Sequence, residues 1–112
     1  MDLEIQIFER LKREVEELKR NFNLYLKKIK EIAKKYDLEV YLVGSRVKGN
    51  FLEGSDYDFV IFVPDDKWRD WLKILTELKK AVNENSYIEF HVYKKSWKEI
   101  LKIYYKKYKK IC

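Results

Sequence analysis

Two aspartates, Asp56 and Asp58, stand one residue apart at the head of the apolar run Tyr57 to Val63. Period two along a strand puts both carboxylates on one face, where they repel each other unless a cation joins them. Donors that are all oxygen suit Mg²⁺, which keeps part of its shell open for substrate phosphates. Two such ions can clamp the attacking and leaving oxygens of an in-line phosphoryl displacement. Just upstream, Gly44-Ser45 closes another apolar run, Glu39 to Val43. A glycine there lets backbone N–H groups approach a phosphate, Ser45 adds a hydroxyl donor, and Arg46 and Lys48 add positive charge. The chain has three glycines, Gly44, Gly49 and Gly54, all within one eleven-residue window. That coincidence weighs toward a site and against a plain turn carrying exposed acids. In a third run, Tyr87 to Tyr93, alternation sets Glu89, His91 and Tyr93 on one face against Ile88, Phe90 and Val92 on the other. Glu89 is therefore a candidate third carboxylate, for the metal and for activating an attacking hydroxyl. His91, the only histidine, reads first as a structural or solvated residue, with catalysis as the lesser alternative.

The elements that must position these residues follow from hydrophobic spacing. Phe8, Leu11, Val15, Leu18, Phe22, Tyr25, Ile29, Ile32 and Tyr36 step by three and four, which predicts one long helix over 1–36, or two stacked ones broken near Asn21 and Asn23. Its outer turns either extend the core or dock a partner or a second copy. Strands are expected at Glu39 to Val43, at Tyr57 to Val63 (apolar enough from Phe59 on for burial on both faces) and at Tyr87 to Tyr93. Pro64 stops the second strand. Asp65 and Asp66 are then expected to cap a helix striped by Trp68, Trp71, Leu72, Leu75, Leu78 and Val82. Asn83 to Ser86 turn the chain. Ser96 and Glu99 have capping-box spacing before a final helix with Trp97, Ile100, Leu101, Tyr104, Tyr108 and Ile111 as its apolar positions. The expectation is a single α/β (α+β) domain over 1–112: an N-terminal helix (1–36), a catalytic core with a small mixed sheet of about three strands (37–95), and a basic C-terminal helix (96–112).

Length and charge narrow the function. At 112 residues the chain has room for one core and no second domain. Of the formal +6, residues 94–112 carry +7 while residues 37–93 carry −4. Such a tail reads first as a solvated face. A nucleic-acid-binding role ranks last, because no recognition-helix or aromatic-basic sheet motif accompanies the charge. The single cysteine, Cys112, excludes an intrachain disulfide and a thiolate metal cluster and suits a reducing, cytoplasmic setting. The acidic start is unlike a signal peptide, and no run approaches a membrane span.

The stretch GSRVKGNFLEGSDYD resembles the DNA polymerase β-like nucleotidyltransferase superfamily in its minimal branch, whose pattern is Gly-Ser, ten residues, Asp-x-Asp. Gly44-Ser45, ten residues from Arg46 to Ser55, and Asp56-Tyr57-Asp58 match it without insertion. Gly49 fits the internal glycine and Ser55-Asp56 the Ser-Asp pair. The resemblance implies the nucleotidyltransferase fold and transfer of a nucleoside monophosphate from ATP or another NTP to a hydroxyl, with release of pyrophosphate. It implies that Ser45 and the backbone at Gly44 hold the β- and γ-phosphates. It implies too that Asp56 and Asp58 bind two Mg²⁺ ions and that a third carboxylate, here Glu89 where the family often has Asp, binds the catalytic one. Minimal members of this kind often pair with a small helical HEPN protein, as antitoxins that attach AMP to a toxin tyrosine. Chain length agrees, since little remains to bind an acceptor once an NTP site is built. Other readings stay open: a small-molecule or RNA-end acceptor, a nucleotide- or partner-binding module without turnover, or a homo-oligomer through the N-terminal helix.

Overall fold

The computed structural model describes residues 2–43, 57–102 and 108–112. Helix α1 runs unbroken over Leu3–Tyr36, so Asn21 and Asn23 do not interrupt it. Asp2 caps its start through a side-chain bond to the Glu4 N–H, and Asp37 ends it in the left-handed region at φ 57°, a conformation aspartate tolerates. One face is fully sequestered at Leu18, Tyr25, Ile29 and Ala33. The same stripe continues outward through Leu3, Ile7, Phe8 and Leu11, all exposed. At 1.5 Å per residue the helix is about 50 Å long, as long as the whole molecule's greatest extent of 50 Å.

Strands β1 (Glu39–Val43), β2 (Tyr57–Val63), β3 (Ile88–Lys94) and β4 (Tyr108–Lys110) form one sheet in the order β3-β2-β1-β4. β1 is antiparallel to both β2 and β4, and β2 is parallel to β3. Between the parallel strands lie a 3₁₀ segment, Asp65–Asp70, and helix α2, Trp71–Ala81. Alternation sorts the sheet residues as the sequence implies. Val40, Leu42, Tyr57, Phe59, Ile61, Val63 and Ile88 pack against α1 and against Ile74 and Leu78 of α2. Tyr41, Val43, Val60 and Phe62 form a second buried layer on the opposite face, with Tyr93 and Leu101 against it. β2 is thus apolar on both sides because it is covered on both sides.

Three expectations change. Asp65 and Asp66 do not cap a helix: the residue at that position is Pro64, with no side-chain bond. Asp65 instead accepts from the Ser96 N–H at 3.1 Å, joining the chain after β2 to the chain after β3. Ser96 lies inside a 3₁₀ turn, Lys95–Trp97, so it opens no capping box, and helix α3 is the single turn Lys98–Leu101. The basic C-terminal helix gives way to strand β4, which makes the sheet four-stranded rather than three-stranded. The reason is the edge of β1, whose N–H and C=O groups need partners. Tyr41, Leu42 and Val43 pair with Lys110, Lys109 and Tyr108, and Val40 exchanges backbone bonds with Ile111 and Cys112. Tyr104 lies outside the described residues. None of the described helices is long and apolar enough to cross a membrane.

Candidate active site at one end of the sheet

The parallel register decides which acids meet. Asp58 and Glu89 are both second residues of their strands and are Cα partners, and Val43, the last residue of β1, pairs with Asp58 on its other side. The two carboxylates therefore share one end of the sheet, on the face turned away from α1 and α2. His91 follows two residues after Glu89 on that face. Its Nε2 lies 3.3 Å from Asp58 Oδ1 and 3.7 Å from Glu89 Oε2. One donor atom from each of the three residues lies within 4.8 Å of the others. All three side chains are open to solvent to a third or more, so a ligand can reach them.

Gly44, Ser45, Arg46, Gly49 and Asp56 lie outside the described residues. Of the expected metal and catalytic set, Asp58 and Glu89 are described and brought together. His91, read first as structural or solvated, joins them. Its two-residue spacing from Glu89 was the available signal; the pairing of β3 beside β2, which brings it to Asp58, is not written in any local pattern. The donor set fits a divalent cation. With metal–ligand bonds of about 2.1 Å, neighbouring vertices of a coordination polyhedron lie roughly 3.0–3.4 Å apart; the 3.3 Å between His91 and Asp58 falls in that range and the 3.7 Å to Glu89 lies just outside it.

Beside the cluster, Tyr41, Val60, Phe62, Leu101 and Tyr108 border a cavity of about 120 Å³. That is below the roughly 300–1,000 Å³ of a pocket for a drug-sized ligand, but enough for one ring. One wall is pinned electrostatically. Lys98 of α3 donates to Glu39 Oε1 at 2.7 Å and lies over the Tyr41 ring, Lys95 stands 3.5 Å from Glu39 Oε2, and the Tyr41 hydroxyl donates to the same carboxylate. Burial alone would raise the Glu39 pKa, but the bonds from Lys98 and Tyr41 and the two lysine charges hold it below the usual carboxylate range. The bond to Glu39 in turn lifts Lys98 above the ordinary lysine value. Lys98 is therefore committed to the fold and is not a free phosphate ligand.

Comparison with known proteins gives the family and the fold of the chain. The family model of a nucleotidyltransferase domain matches residues 24–111. A crystal structure of a candidate nucleotidyltransferase from Sulfolobus solfataricus shares 20% identity over 87% of this chain and 84% of its own, with a TM-score of 0.56. A second candidate nucleotidyltransferase of known structure shares 34% identity over 75% of this chain and 94% of its own, with a TM-score of 0.51. No protein of curated function matches the chain.

Proposed function

The chain belongs to the nucleotidyltransferase domain family, and on that premise we propose that it transfers a nucleoside monophosphate, AMP from ATP, to a hydroxyl of a partner protein. The observation that carries this reading is the placement of Asp58 and Glu89 opposite each other in parallel strands, with His91 beside them, on the face turned away from α1 and α2. A divalent cation held by Asp58, Glu89 and, by the resemblance, Asp56 supplies charge neutralisation and Lewis acidity at the phosphates when bound; Mg²⁺, two ions in the family pattern, is the first expectation. In the transfer, the acceptor oxygen bonds to the α-phosphorus, the bond to the β-phosphate bridging oxygen breaks, and pyrophosphate leaves. Glu89, the most exposed of the three, takes the acceptor proton in this reading. Ser45 and the Gly44 backbone keep their assignment to the β- and γ-phosphates as part of this proposal.

The acceptor comes from a second chain. The exposed turns of α1, with Leu3, Ile7, Phe8 and Leu11, are the docking face for it. A small helical HEPN-type protein, with this chain as its antitoxin, is the partner the family type suggests, and a second copy of this chain is the alternative. The chemistry suits the cytoplasm, where NTPs and Mg²⁺ are abundant. Incubation with α-labelled ATP, divalent metal and a lysate or co-purifying protein should label a protein band, and Asp58→Asn should reduce labelling by about a hundredfold or more. Label on a small molecule or an RNA end would redirect the acceptor. Nucleotide binding without pyrophosphate release in the presence of any acceptor would defeat the enzymatic reading.

A further inference from the structure

We propose that His91 is a metal-binding residue of this site and that its imidazole shifts the site from a magnesium preference toward divalent transition ions such as Co²⁺, Mn²⁺ or Zn²⁺. The proposal rests on the reading of Asp58 and Glu89 as metal-binding carboxylates. A histidine that merely steadied Asp58 would need one partner, and a charge-assisted bond to a carboxylate is usually about 2.7–2.9 Å long. His91 Nε2 instead makes a long hydrogen bond of 3.3 Å to Asp58 Oδ1 and also lies 3.7 Å from Glu89 Oε2, so it stands near both carboxylates. The 3.3 Å separation matches the edge of a coordination polyhedron with bonds of about 2.1 Å, and one donor atom of each of the three residues lies within 4.8 Å of the others. The strand pattern places it there: β3 offers Glu89 and His91 from one face, and the parallel register sets Asp58 opposite Glu89. The imidazole is also reachable, with the side chain 37% exposed.

The consequence is selectivity. Mg²⁺ takes oxygen ligands and sheds water reluctantly, whereas imidazole nitrogen favours the later divalent ions, whose affinities rise from Mn²⁺ through Co²⁺ toward Cu²⁺. A site of two carboxylates and one imidazole therefore holds Co²⁺ or Zn²⁺ in preference to Mg²⁺. Since the chain contains one histidine, any nitrogen ligation by imidazole at the site is its own.

Calorimetric titration of the full chain with Co²⁺ and with Mg²⁺, alongside the visible absorption of bound Co²⁺, tests this without any assay of turnover. Wild type should bind Co²⁺ the more tightly. His91→Asp, which supplies oxygen in place of nitrogen, should retain Mg²⁺ binding and cut the Co²⁺ preference by about tenfold or more, with a shifted Co²⁺ spectrum. His91→Gln, which can still donate to Asp58, should fail to restore the preference. Circular dichroism confirms that each variant is folded. An unchanged Co²⁺-to-Mg²⁺ ratio in His91→Asp, or full Co²⁺ affinity in His91→Gln, overturns the role of His91. If Asp58→Asn abolishes binding in that same experiment, the carboxylate site itself stands. Absence of binding by either ion to wild type overturns both.

Discussion

Glu89 enters the site through backbone register rather than through sequence proximity to Asp58, and the consequences fall on its side-chain length. In strands that pair as Cα partners, a glutamate projects one methylene further than an aspartate would, and here it stands beside both Asp58 and His91. If Glu89 ligates a cation and accepts the acceptor proton, it must carry negative charge, and charge matters more than reach. Glu89→Gln keeps the shape and loses the charge, so it should lower transfer by about a hundredfold or more. Glu89→Asp keeps the charge and withdraws it by one methylene, so it should retain a measurable fraction. Pyrophosphate release under saturating ATP and metal separates the two outcomes. Equal activity in wild type and Glu89→Gln would remove Glu89 from the chemistry. That Glu89 and His91 share one face of their strand was legible in the sequence because period two is a local signal. The meeting of either with Asp58 was not, because it depends on which strand lies next to which.

Among the elements, the same division holds between local and non-local information. The spans of β1 and β2 and the turn around Asn83 were readable from β-branched runs, Pro64 and turn residues. The length of α1 was readable from its stripe, and Asn21 and Asn23 proved harmless because tertiary contacts hold both sides of them. Tyr25, 1% exposed, donates its hydroxyl to Glu17, and Asn83 bonds both. Asn85 reaches the Glu14 carbonyl and Ser86 the Glu14 carboxylate. The C-terminal segment misled, because Tyr108 and Ile111 fall at helical spacing while the open edge of β1 offers more backbone bonds than one more isolated turn of helix. Residues 108–112 thus close the sheet, and Ile111 and Cys112 add apolar contacts to the core. Deleting residues 108–112 should cost about 2–4 kcal/mol, from lost strand bonds and re-exposed apolar surface, read as a lower midpoint in urea. The unpaired β1 edge should also raise self-association. An unchanged midpoint would mean that β4 contributes nothing to the sheet's stability.

At the scale of the whole molecule, two carboxylate networks fasten the parts that position the site. Glu17 ties α1 to the turn after α2, and Glu39 ties β1 to α3 and the segment after β3. Both acids sit below the ordinary carboxylate pKa. Glu17 does so through the Tyr25 hydroxyl and then Asn83; for Glu39, burial pushes upward and the bonds from Lys98 and Tyr41 more than reverse it. A folded pKa below the unfolded value, about 4.3 for glutamate, means that the stabilisation is complete above that value. It is lost as pH falls through the folded one. Lys98 has the opposite sign: its folded pKa is raised by Glu39, so its contribution is complete below about 10.4 and is lost only as pH rises further. The melting temperature should therefore be nearly flat from about pH 5 to pH 10 as far as these groups are concerned, and should fall on acidification below about pH 4. Glu39→Gln removes one of the two titrating anchors. It should lower the melting temperature at pH 7, where the ion pair is intact, and shrink the further drop between pH 5 and pH 3, so that the curves of mutant and wild type converge in acid. Parallel curves separated by the same interval at every pH would show that Glu39 acts through packing alone and that its charge does not hold β1 to α3.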